Sequence, residues 1–339
     1  MPKIGILLTN IGTPVSNEPE DVGHYLSEFL MDPYVVDIPK ILRWILVKIL
    51  IVPRRKHASS EAYKKIWLKE GSPLLINSQS LAKILSSNLG NEYSVKVGMR
   101  YSQPSIEKAL KEFIAEKISK LLVIPMYPQF ADSSSTSSIE KVQAEISKQN
   151  LNVEMTSIEA FYHQKGFIAS YAEVIRESLA NKKVDHYLFS YHGLPERQIQ
   201  RLHPNYCFRT QDCCLKITDQ NQSCYRAQCV ATTESLAKAL GLKSGQYSFS
   251  FQSRLGRTKW IDPYTDVVLP ELARKGVKKL AVVCPSFVAD CLETLEEIGI
   301  RGREQFAREG GQELMLIPCL NSHPVWADAL AEIVKTEIS

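Results

Sequence analysis

Two short strings in this chain combine residue types that can move protons, and each follows an apolar run typical of a buried strand. In the first, His192 comes directly after residues 187–191 and directly before Gly193, which frees the backbone to turn. An unperturbed histidine has a pKa of about 6.5, so a histidine at this position is suited to proton transfer near neutrality. A lone histidine is often structural, but the position at a strand end favours a functional role here.

The second string, residues 285–297, contains Asp290, Glu293 and Glu297 at spacings of three and four residues. Such spacings place side chains on one face of a helix, where these carboxylates could offer oxygen ligands or accept protons. Acidic residues are also common in the first turn of a helix, because they favour the positive end of its dipole. From the residues alone, the functional and the structural interpretation both stay open.

A third concentration of reactive side chains is a group of thiols that follows the histidine string. Five of the eight cysteines lie within residues 207–229, namely Cys207, Cys213, Cys214, Cys224 and Cys229. The amino terminus shows no secretory signal, so we expect a cytoplasmic chain. Because thiols in a reducing compartment are seldom disulfides, the group indicates a metal-bearing enzyme and not a disulfide scaffold.

The elements that must position these residues alternate between strand and helix. Eight β-rich runs occur at residues 4–8, 94–99, 121–125, 153–158, 187–191, 248–252, 280–284 and 314–318. Helical patterns lie between them, at residues 106–118, 139–148, 166–179 and 232–240. This alternation predicts an α/β fold with parallel sheets, whose sites lie at the carboxyl ends of the strands.

The two halves of the chain echo each other. Residues 8–14 and 189–195 each end a strand in Gly-x-Pro, and residues 120–125 resemble residues 279–285. We therefore predict two similar Rossmann-like domains that face each other across a cleft, each a four-stranded parallel sheet flanked by helices. The predicted boundaries are 1–159 and 160–321, with a carboxyl-terminal helix at 322–339 that packs back on the first domain and a cysteine-rich insert at 203–229. No GxGxxG or P-loop string follows the first strand, which argues against a nucleotide cofactor.

Composition sets limits on the partners. The net charge of +4 over 339 residues is too small to indicate nucleic-acid binding. The longest apolar stretch, residues 38–52, carries three basic residues and is shorter than the roughly 20 residues that span a bilayer. Its apolar positions recur at helical spacing, which fits a core helix. It also fits a lip, at about residues 30–56, that contacts the membrane interface or admits an apolar ligand.

Taken together, these strings resemble the signature of the ferrochelatases, a family that inserts ferrous iron into porphyrins. The matching segments cover nearly the whole chain: residues 8–14, 98–101, 127–130, 191–197, 251–257, 260, 263–266 and 287–295. The resemblance implies the chelatase fold of two Rossmann-like domains around a cleft. It also implies a lyase-class activity, the conversion of protoporphyrin IX and Fe2+ into protohaem late in haem biosynthesis. Protoporphyrin is favoured over coproporphyrin only by the string around Cys291.

Metallation of a porphyrin requires removal of two pyrrole protons and of the water bound to the metal. The resemblance makes His192 the base or metal contact on one face of the ring. It places Glu293, with Asp290 behind it, on the other face for the metal or the protons, and leaves the division of roles open. Further residues that the family match places at the porphyrin are Ile11, Arg100, Tyr101, Tyr127, Trp260 and Phe287, with Arg100 suited to a propionate.

Two positions depart from the pattern of the family. Cys291 stands where many relatives have a histidine, which puts a histidine relay on that face in doubt. Ile11 stands where some relatives place a tyrosine that can approach the metal.

The cysteine-rich insert resembles that of bacterial ferrochelatases that hold a [2Fe–2S] cluster. Four thiolates suit such a cluster or tetrahedral zinc, and free thiols are the remaining alternative. Five cysteines compete for four places. We expect one of the adjacent Cys213 and Cys214 to be spare, and Cys229 has a second interpretation because cluster-free relatives often keep a cysteine there. The cluster would be structural or sensory, since metal insertion moves no electrons.

Other functions compete with this one. The nearest is a cobalt chelatase acting on a related tetrapyrrole, which the strings at residues 252–254 and 260 disfavour. An inactive haem carrier and an iron or redox sensor built around the insert are further alternatives. The expected partners are a porphyrin and ferrous iron. Peripheral contact with the inner membrane or with the preceding pathway enzyme is also expected, and nucleic acid is not.

Overall fold

The computed structural model describes residues 3–180, 182–210, 212–256 and 258–338. Within these residues the chain forms eight strands: β1 (Ile4–Asn10), β2 (Tyr93–Met99), β3 (Lys120–Pro125), β4 (Glu154–Ser157), β5 (His186–His192), β6 (Tyr247–Gln252), β7 (Lys279–Val283) and β8 (Glu313–Leu316). They pair in parallel in two four-stranded sheets, with the orders β2-β1-β3-β4 and β6-β5-β7-β8. The predicted fold class is confirmed, and every strand lies within two residues of its predicted bounds.

Helices connect the strands, as parallel pairing requires. In the described part of the chain the α-helices are α1 (Pro19–Leu30), α2 (Lys40–Trp44), α3 (Val52–Lys64), α4 (Pro73–Leu89), α5 (Ile106–Ala115), α6 (Ser137–Lys148), α7 (Lys165–Leu179), α8 (Glu196–Leu202), α9 (Tyr225–Leu240), α10 (Thr265–Arg274), α11 (Arg303–Arg308) and α12 (Pro324–Ile338). Three segments have the wider π-helical turn, namely Ile45–Ile51, Asp132–Thr136 and Glu293–Gly302.

Helix α5 shows how local sequence sets these bounds. The Ser105 side chain caps its amino end by accepting a hydrogen bond from the Lys108 N–H at 3.2 Å. Residues Ile106, Leu110 and Phe113 recur at helical spacing and are buried against the first sheet. The helix ends earlier than the predicted residue 118, because the chain turns into the left-handed region within residues 116–118.

The chain divides into two compact units. The first consists of Met1–Met126, Asp132–Glu159 and Ser322–Ser339, and the second of Tyr127–Ala131 and Ala160–Asn321. The segment Tyr127–Ala131 therefore differs from its predicted place in the first domain. It belongs to the second unit, where the Gln129 amide donates to the Thr232 hydroxyl at 3.0 Å. In the first unit α12 packs against α4, and the Asn88 side chain donates to Asp328 at 2.7 Å.

The apolar stretch at residues 38–52 forms α2, a π-helical segment and the start of α3. Six of its large apolar side chains are exposed to solvent: Ile41, Leu42, Trp44, Ile45, Ile49 and Leu50. Ile41 is 76% exposed and Ile49 is 54% exposed, so the core-helix interpretation is wrong for this face. Val47 is the large apolar residue of the stretch that is fully buried. Within the described residues, no helix is long and apolar enough to cross a membrane.

Candidate active site

His192 is the last residue of β5, and the fold places it beside the end of β6. It pairs in register with Gln252, the last residue of β6. The following Gly193 donates its N–H to the Gln252 carbonyl at 2.8 Å. A Cβ atom at Gly193 would lie only 2.8 Å from that same carbonyl oxygen, so a side chain there would push the two strand ends apart. Glycine is therefore needed for this close approach.

Within the part of the chain that the structure describes, one nitrogen of the His192 imidazole makes a hydrogen bond. Its Nδ1 lies 2.6 Å from the Gly193 carbonyl oxygen. Because a carbonyl can only accept, Nδ1 must donate, and the neutral ring then carries its lone pair on Nε2. The side chain is half-buried, and the Phe287 ring lies 6.2 Å away at 61°. This arrangement leaves Nε2 suited to accept a proton or bind a metal.

The backbone of His192 is held by two side chains. Pairing of β5 with β7 ends at Phe189, three residues earlier, so the ladder no longer holds His192 on that side. In its place the His192 N–H donates to the Ser286 hydroxyl at 2.9 Å, and the Tyr225 hydroxyl donates to the His192 carbonyl at 2.7 Å. These contacts fix the peptide from which the imidazole projects.

Glu293 opens the π-helical segment Glu293–Gly302, a wide turn that occurs often at functional sites. Its carbonyl accepts a hydrogen bond from the Gln252 amide at 2.8 Å, and Gln252 in turn accepts one from the Ser190 hydroxyl at 2.7 Å. The end of β6 therefore fixes the first turn of the segment. The neighbouring Cys291 is buried, and burial followed by the charge of Glu293 raises the pKa of its thiol, which keeps it protonated.

Glu297 is a site residue that our catalytic assignment from the sequence omitted. Its two oxygens accept hydrogen bonds from Ser253, from the backbone N–H at 2.8 Å and from the hydroxyl at 2.5 Å. Burial raises the pKa of its carboxyl, and the nearby charge of Glu293 raises it further, while Ser253 and His192 lower it. The charges of Glu293 and His192 thus both act on Glu297 at this end of the sheet. The four-residue spacing from Glu293 was the available signal.

Asp290 is buried behind this group, and both of its carboxylate oxygens have partners. One oxygen accepts from the Thr294 hydroxyl at 3.0 Å and from the Cys319 N–H at 3.3 Å. The other accepts from the Asn321 amide at 2.7 Å. Asp290 therefore joins the start of the π-helical segment to the loop after β8.

In the first unit, Arg100 and Tyr101 belong to a hydrogen-bonded network around a buried carboxylate. Asp32 pairs with the Arg100 guanidinium and accepts from the Tyr101 hydroxyl at 2.8 Å and the Ser137 hydroxyl at 2.6 Å. Burial raises the pKa of Tyr101. Ile11, also in this unit, is half-buried. Arg100 thus has a protein carboxylate as its partner, which the sequence did not reveal.

The other residues predicted to contact the porphyrin lie in the second unit and are half-buried. Phe287 adjoins His192, and Trp260 approaches Gly193, where an added Cβ would meet its ring at 3.3 Å. The Trp260 indole N–H donates to the Leu255 carbonyl at 2.8 Å. Tyr127 begins the segment that Gln129 anchors to α9. Phe287 thus lies beside His192, and Trp260 lies beside the following Gly193.

Four of the five clustered thiols lie together in the second unit. The sulfur atoms of Cys207, Cys214 and Cys224 all lie within 4.8 Å of one another. The Cys213 sulfur is 3.2 Å from that of Cys214 and accepts the Phe208 N–H at 3.1 Å. All four side chains are buried, and burial raises the pKa of Cys207 to about 12. Buried sulfurs that converge in this way are suited to a metal ion or cluster, whose positive charge favours the thiolate form.

Cys213 and Cys214 are both buried, although the three sulfurs that lie within 4.8 Å of one another include that of Cys214 and not that of Cys213. Adjacent side chains alternate only in extended strands, and this pair lies in an irregular turn, where the two sulfurs converge. Cys229 is the cysteine that lies apart, within α9. It is fully buried next to Tyr225, and burial raises the pKa of its thiol.

Comparison with known proteins gives a consistent result. The sequence profile of the ferrochelatase family matches residues 3–338. A ferrochelatase of Bdellovibrio bacteriovorus is 46% identical over 336 residues, which is 99% of this chain and 100% of that protein. One from Coxiella burnetii is 47% identical over 338 residues, covering 99% and 94%. One from Pseudomonas fluorescens is 46% identical over 327 residues, covering 96% and 95%.

Among solved structures, SirB from Bacillus subtilis with Fe3+ superposes with a TM-score of 0.55 at 10% identity. The match covers 98% of this chain and 94% of that one. At this identity the likeness supports the fold alone, and that fold agrees with the two sheets described above. The profile match and the identity over the full length of the relatives carry the further conclusion: this chain belongs to the ferrochelatase family.

Proposed function

We propose that this protein inserts Fe2+ into protoporphyrin IX to form protohaem, as a lyase-class metal chelatase of haem biosynthesis. The observation that supports this most directly is the grouping of His192, Glu293 and Glu297 at the carboxyl end of the second sheet. An imidazole with its lone pair on Nε2 and two carboxylates are groups that can remove protons and transfer a metal. The choice of substrate in this proposal rests on membership of the ferrochelatase family.

The reaction replaces two pyrrole protons with one ferrous ion, so the enzyme must accept two protons. We assign the first to His192 Nε2, because the Gly193 carbonyl keeps the proton on Nδ1. Glu293 and Glu297 act jointly on the iron and on the second proton. A carboxyl whose pKa is raised, as that of Glu297 is, exchanges protons closer to neutral pH than an ordinary glutamate.

Asp290 acts in this proposal as a positioning residue. Its three accepted hydrogen bonds hold the start of the π-helical segment, and with it Glu293. In the second unit, we propose that Trp260 and Phe287 pack on the ring beside His192. For Ile11 and Tyr127, the proposed contact with the porphyrin rests on the family match. Arg100 and Tyr101 would then support the propionate end through their network with Asp32, with Arg100 partly neutralised by that carboxylate.

We propose further that the thiol group holds a [2Fe–2S] cluster through Cys207, Cys213, Cys214 and Cys224, with zinc as the alternative occupant. When bound, such a group would cross-link the irregular insert through four sulfur–metal bonds. Reconstitution with ferrous iron and sulfide, followed by iron and sulfide analysis, tests the ligand set. Cys213→Ser should lose the iron, whereas Cys229→Ser should keep it. Equal retention in both variants would contradict this ligand set.

The exposed apolar residues Ile41, Leu42, Trp44, Ile45, Ile49 and Leu50 form a surface that we propose contacts the membrane interface from the cytoplasmic side. Exposed Lys40, Lys48, Arg54 and Arg55 accompany them, which favours an anionic bilayer. Vesicles with and without anionic lipid test this. Co-sedimentation with anionic vesicles should decrease in a Trp44→Ser/Ile49→Ser variant, and an unchanged fraction would contradict the contact.

The decisive experiment is anaerobic incubation of the purified protein with Fe2+ and protoporphyrin IX, followed by absorption spectroscopy. His192→Ala should lower kcat by about 10² to 10⁴, the usual worth of a general base. His163→Ala, which removes an exposed histidine of the same unit, is the matched control and should retain full activity. Coproporphyrin and Co2+ in parallel reactions test the substrate and metal choice. No metalloporphyrin from the wild-type protein would refute the proposal.

A further inference from the structure

The thiol group and His192 are joined by one pair of adjacent residues. Cys224 precedes α9 as its N-cap, and Tyr225 is the first residue of that helix. The Tyr225 side chain is buried, and its hydroxyl donates to the His192 carbonyl at 2.7 Å. The position of the Cys224 sulfur and the position of this hydroxyl are therefore set by the same short stretch of backbone.

The segment that carries the thiols has little regular structure to hold it. Within the described residues between α8 and α9, the chain forms turns and bends and neither helix nor strand. Asn221 provides part of its order by donating to the Cys213 and Lys216 carbonyls at 3.0 and 2.9 Å. The Asn221 carbonyl accepts the Cys224 N–H at 2.8 Å. A metal group bound to the four sulfurs would add bonds far stronger than these and would fix the start of α9.

At the other end of this connection, His192 depends on Tyr225. Beyond the end of β5–β7 pairing, the His192 peptide is held on that side by the Ser286 and Tyr225 side chains. The Tyr225 hydroxyl also lies next to Ser286, so the two contacts form one unit. Because Nδ1 of the imidazole donates to the adjacent Gly193 carbonyl, a rotation of this peptide also turns the ring.

We propose that Tyr225 is a positioning residue that couples occupancy of the thiol site to the orientation of His192. This proposal rests on the proposed roles of the thiols and of His192. With metal bound, the start of α9 is fixed and the Tyr225 hydroxyl holds the His192 carbonyl. Without metal, α9 frays at its first turn, the hydroxyl withdraws, and His192 loses its alignment. Small displacements of a catalytic group are costly, so turnover would report on the metal state of the insert.

The test compares metal-loaded protein with protein stripped by a chelator, using hydrogen exchange at the backbone amides of residues 192–194 as the primary measurement. In the wild-type protein, stripping should speed exchange about tenfold and lower kcat about tenfold. Tyr225→Phe removes only the hydroxyl. The loaded variant should already show the faster exchange and lower kcat, and stripping should change neither by more than about twofold. Elemental iron, zinc and sulfide analysis confirms the loading of each sample.

Tyr206→Phe is the matched control, since it removes the same hydroxyl next to a different thiol, Cys207. It should respond to stripping as the wild-type protein does. The proposal is overturned if loaded Tyr225→Phe matches loaded wild type in exchange, if stripping retains its full effect in that variant, or if the thiols take up no metal on reconstitution. Failure of the proposed function is a separate outcome, because exchange can be measured in a protein that metallates no porphyrin.

Discussion

The two sheets have the same strand order, and the chain leaves the central strand of each through a Gly-x-Pro turn, yet the two turns meet different neighbours. A Cβ at Gly12 would lie 1.9 Å from the Tyr101 carbonyl oxygen, two residues beyond the end of β2. A Cβ at Gly193 would lie 2.8 Å from the Gln252 carbonyl oxygen, at the end of β6. Each glycine thus lets the turn approach the adjacent strand end. Both halves of the repeat therefore use a glycine to bring this turn close to the neighbouring backbone.

The side chains beyond the two turns differ in kind. In the first unit, Arg100 and Tyr101 satisfy the buried Asp32 in a closed network of opposite charge and hydrogen bonds. In the second unit, Ser253 binds Glu297, and the carboxyl still has a raised pKa because burial and Glu293 oppose its ionisation. The buried carboxylate of the first unit thus has a positive partner, whereas that of the second unit lies near another carboxylate. The comparison indicates that the same backbone arrangement carries different side chains in the two units, and we expect the reaction to depend on those of the second unit.

The largest expected effect is on the compensated network of the first unit. Asp32→Ala should lower the free energy of unfolding by about 3–5 kcal/mol, because Arg100 would lose its carboxylate and stay partly buried. Urea denaturation measures this. Asp219→Ala, at an exposed aspartate, is the control and should stay within about 0.5 kcal/mol of wild type. A wild-type midpoint for Asp32→Ala would show that the network does not stabilise the fold.

Substitution of the two glycines should affect stability and activity in opposite order. Gly12→Ala should cost about 2–4 kcal/mol, because Gly12 has a φ of 103° and its new Cβ would overlap a carbonyl. Gly193→Ala, with a longer contact and no left-handed backbone, should cost about 1–2 kcal/mol. Because it displaces the peptide of His192, it should nevertheless lower kcat more than Gly12→Ala does. Denaturation and kcat are measured on both proteins, and the opposite ranking in kcat would contradict the comparison.

The sequence predicted what depends on local pattern. Most of the strands could be recognised because a parallel strand buried on both faces is a short apolar run, as β1 shows with six of its seven residues buried. Residues 38–52 were ambiguous for a physical reason. A helix that packs in a core and one that presents apolar side chains to a membrane have the same spacing, and only the surrounding fold distinguishes them.

The contacts that set the electrostatics of the site could not be predicted from the sequence, because they join segments that are far apart along the chain. The Asp32–Arg100 pair spans 68 residues, and the Ser253–Glu297 contact spans 44. Nothing near Arg100 in sequence shows that its guanidinium has a partner, and the spacing of Glu297 gives no information on its pKa. The convergence of Cys213 and Cys214 likewise depends on turn geometry.

Glu297→Gln tests whether the carboxyl of the second unit has a raised pKa. A carboxyl with a raised pKa in the folded state stabilises the protein below its unfolded pKa, near 4.5, and that contribution is lost as pH rises through the folded pKa. The free energy of unfolding of the wild-type protein should therefore decrease as the pH rises above 4.5, and that of the variant should not show this decrease. Denaturation at several pH values measures the difference, and kcat should fall about tenfold. Parallel pH profiles for both proteins would rule out the assigned direction of the shift.

The smallest effect is expected at Ile11, which occupies in the first turn the place that His192 occupies in the second. Its half-buried side chain can offer a porphyrin only apolar contact, so Ile11→Ala should raise KM for the porphyrin about fivefold. It should leave kcat within about twofold of wild type, because no proton or metal contact is lost. Steady-state assays over a range of porphyrin concentrations separate the two constants. A fall in kcat comparable to that of His192→Ala would mean that both copies of the turn take part in the chemistry, and that the asymmetry between the two strand ends does not extend to the reaction itself.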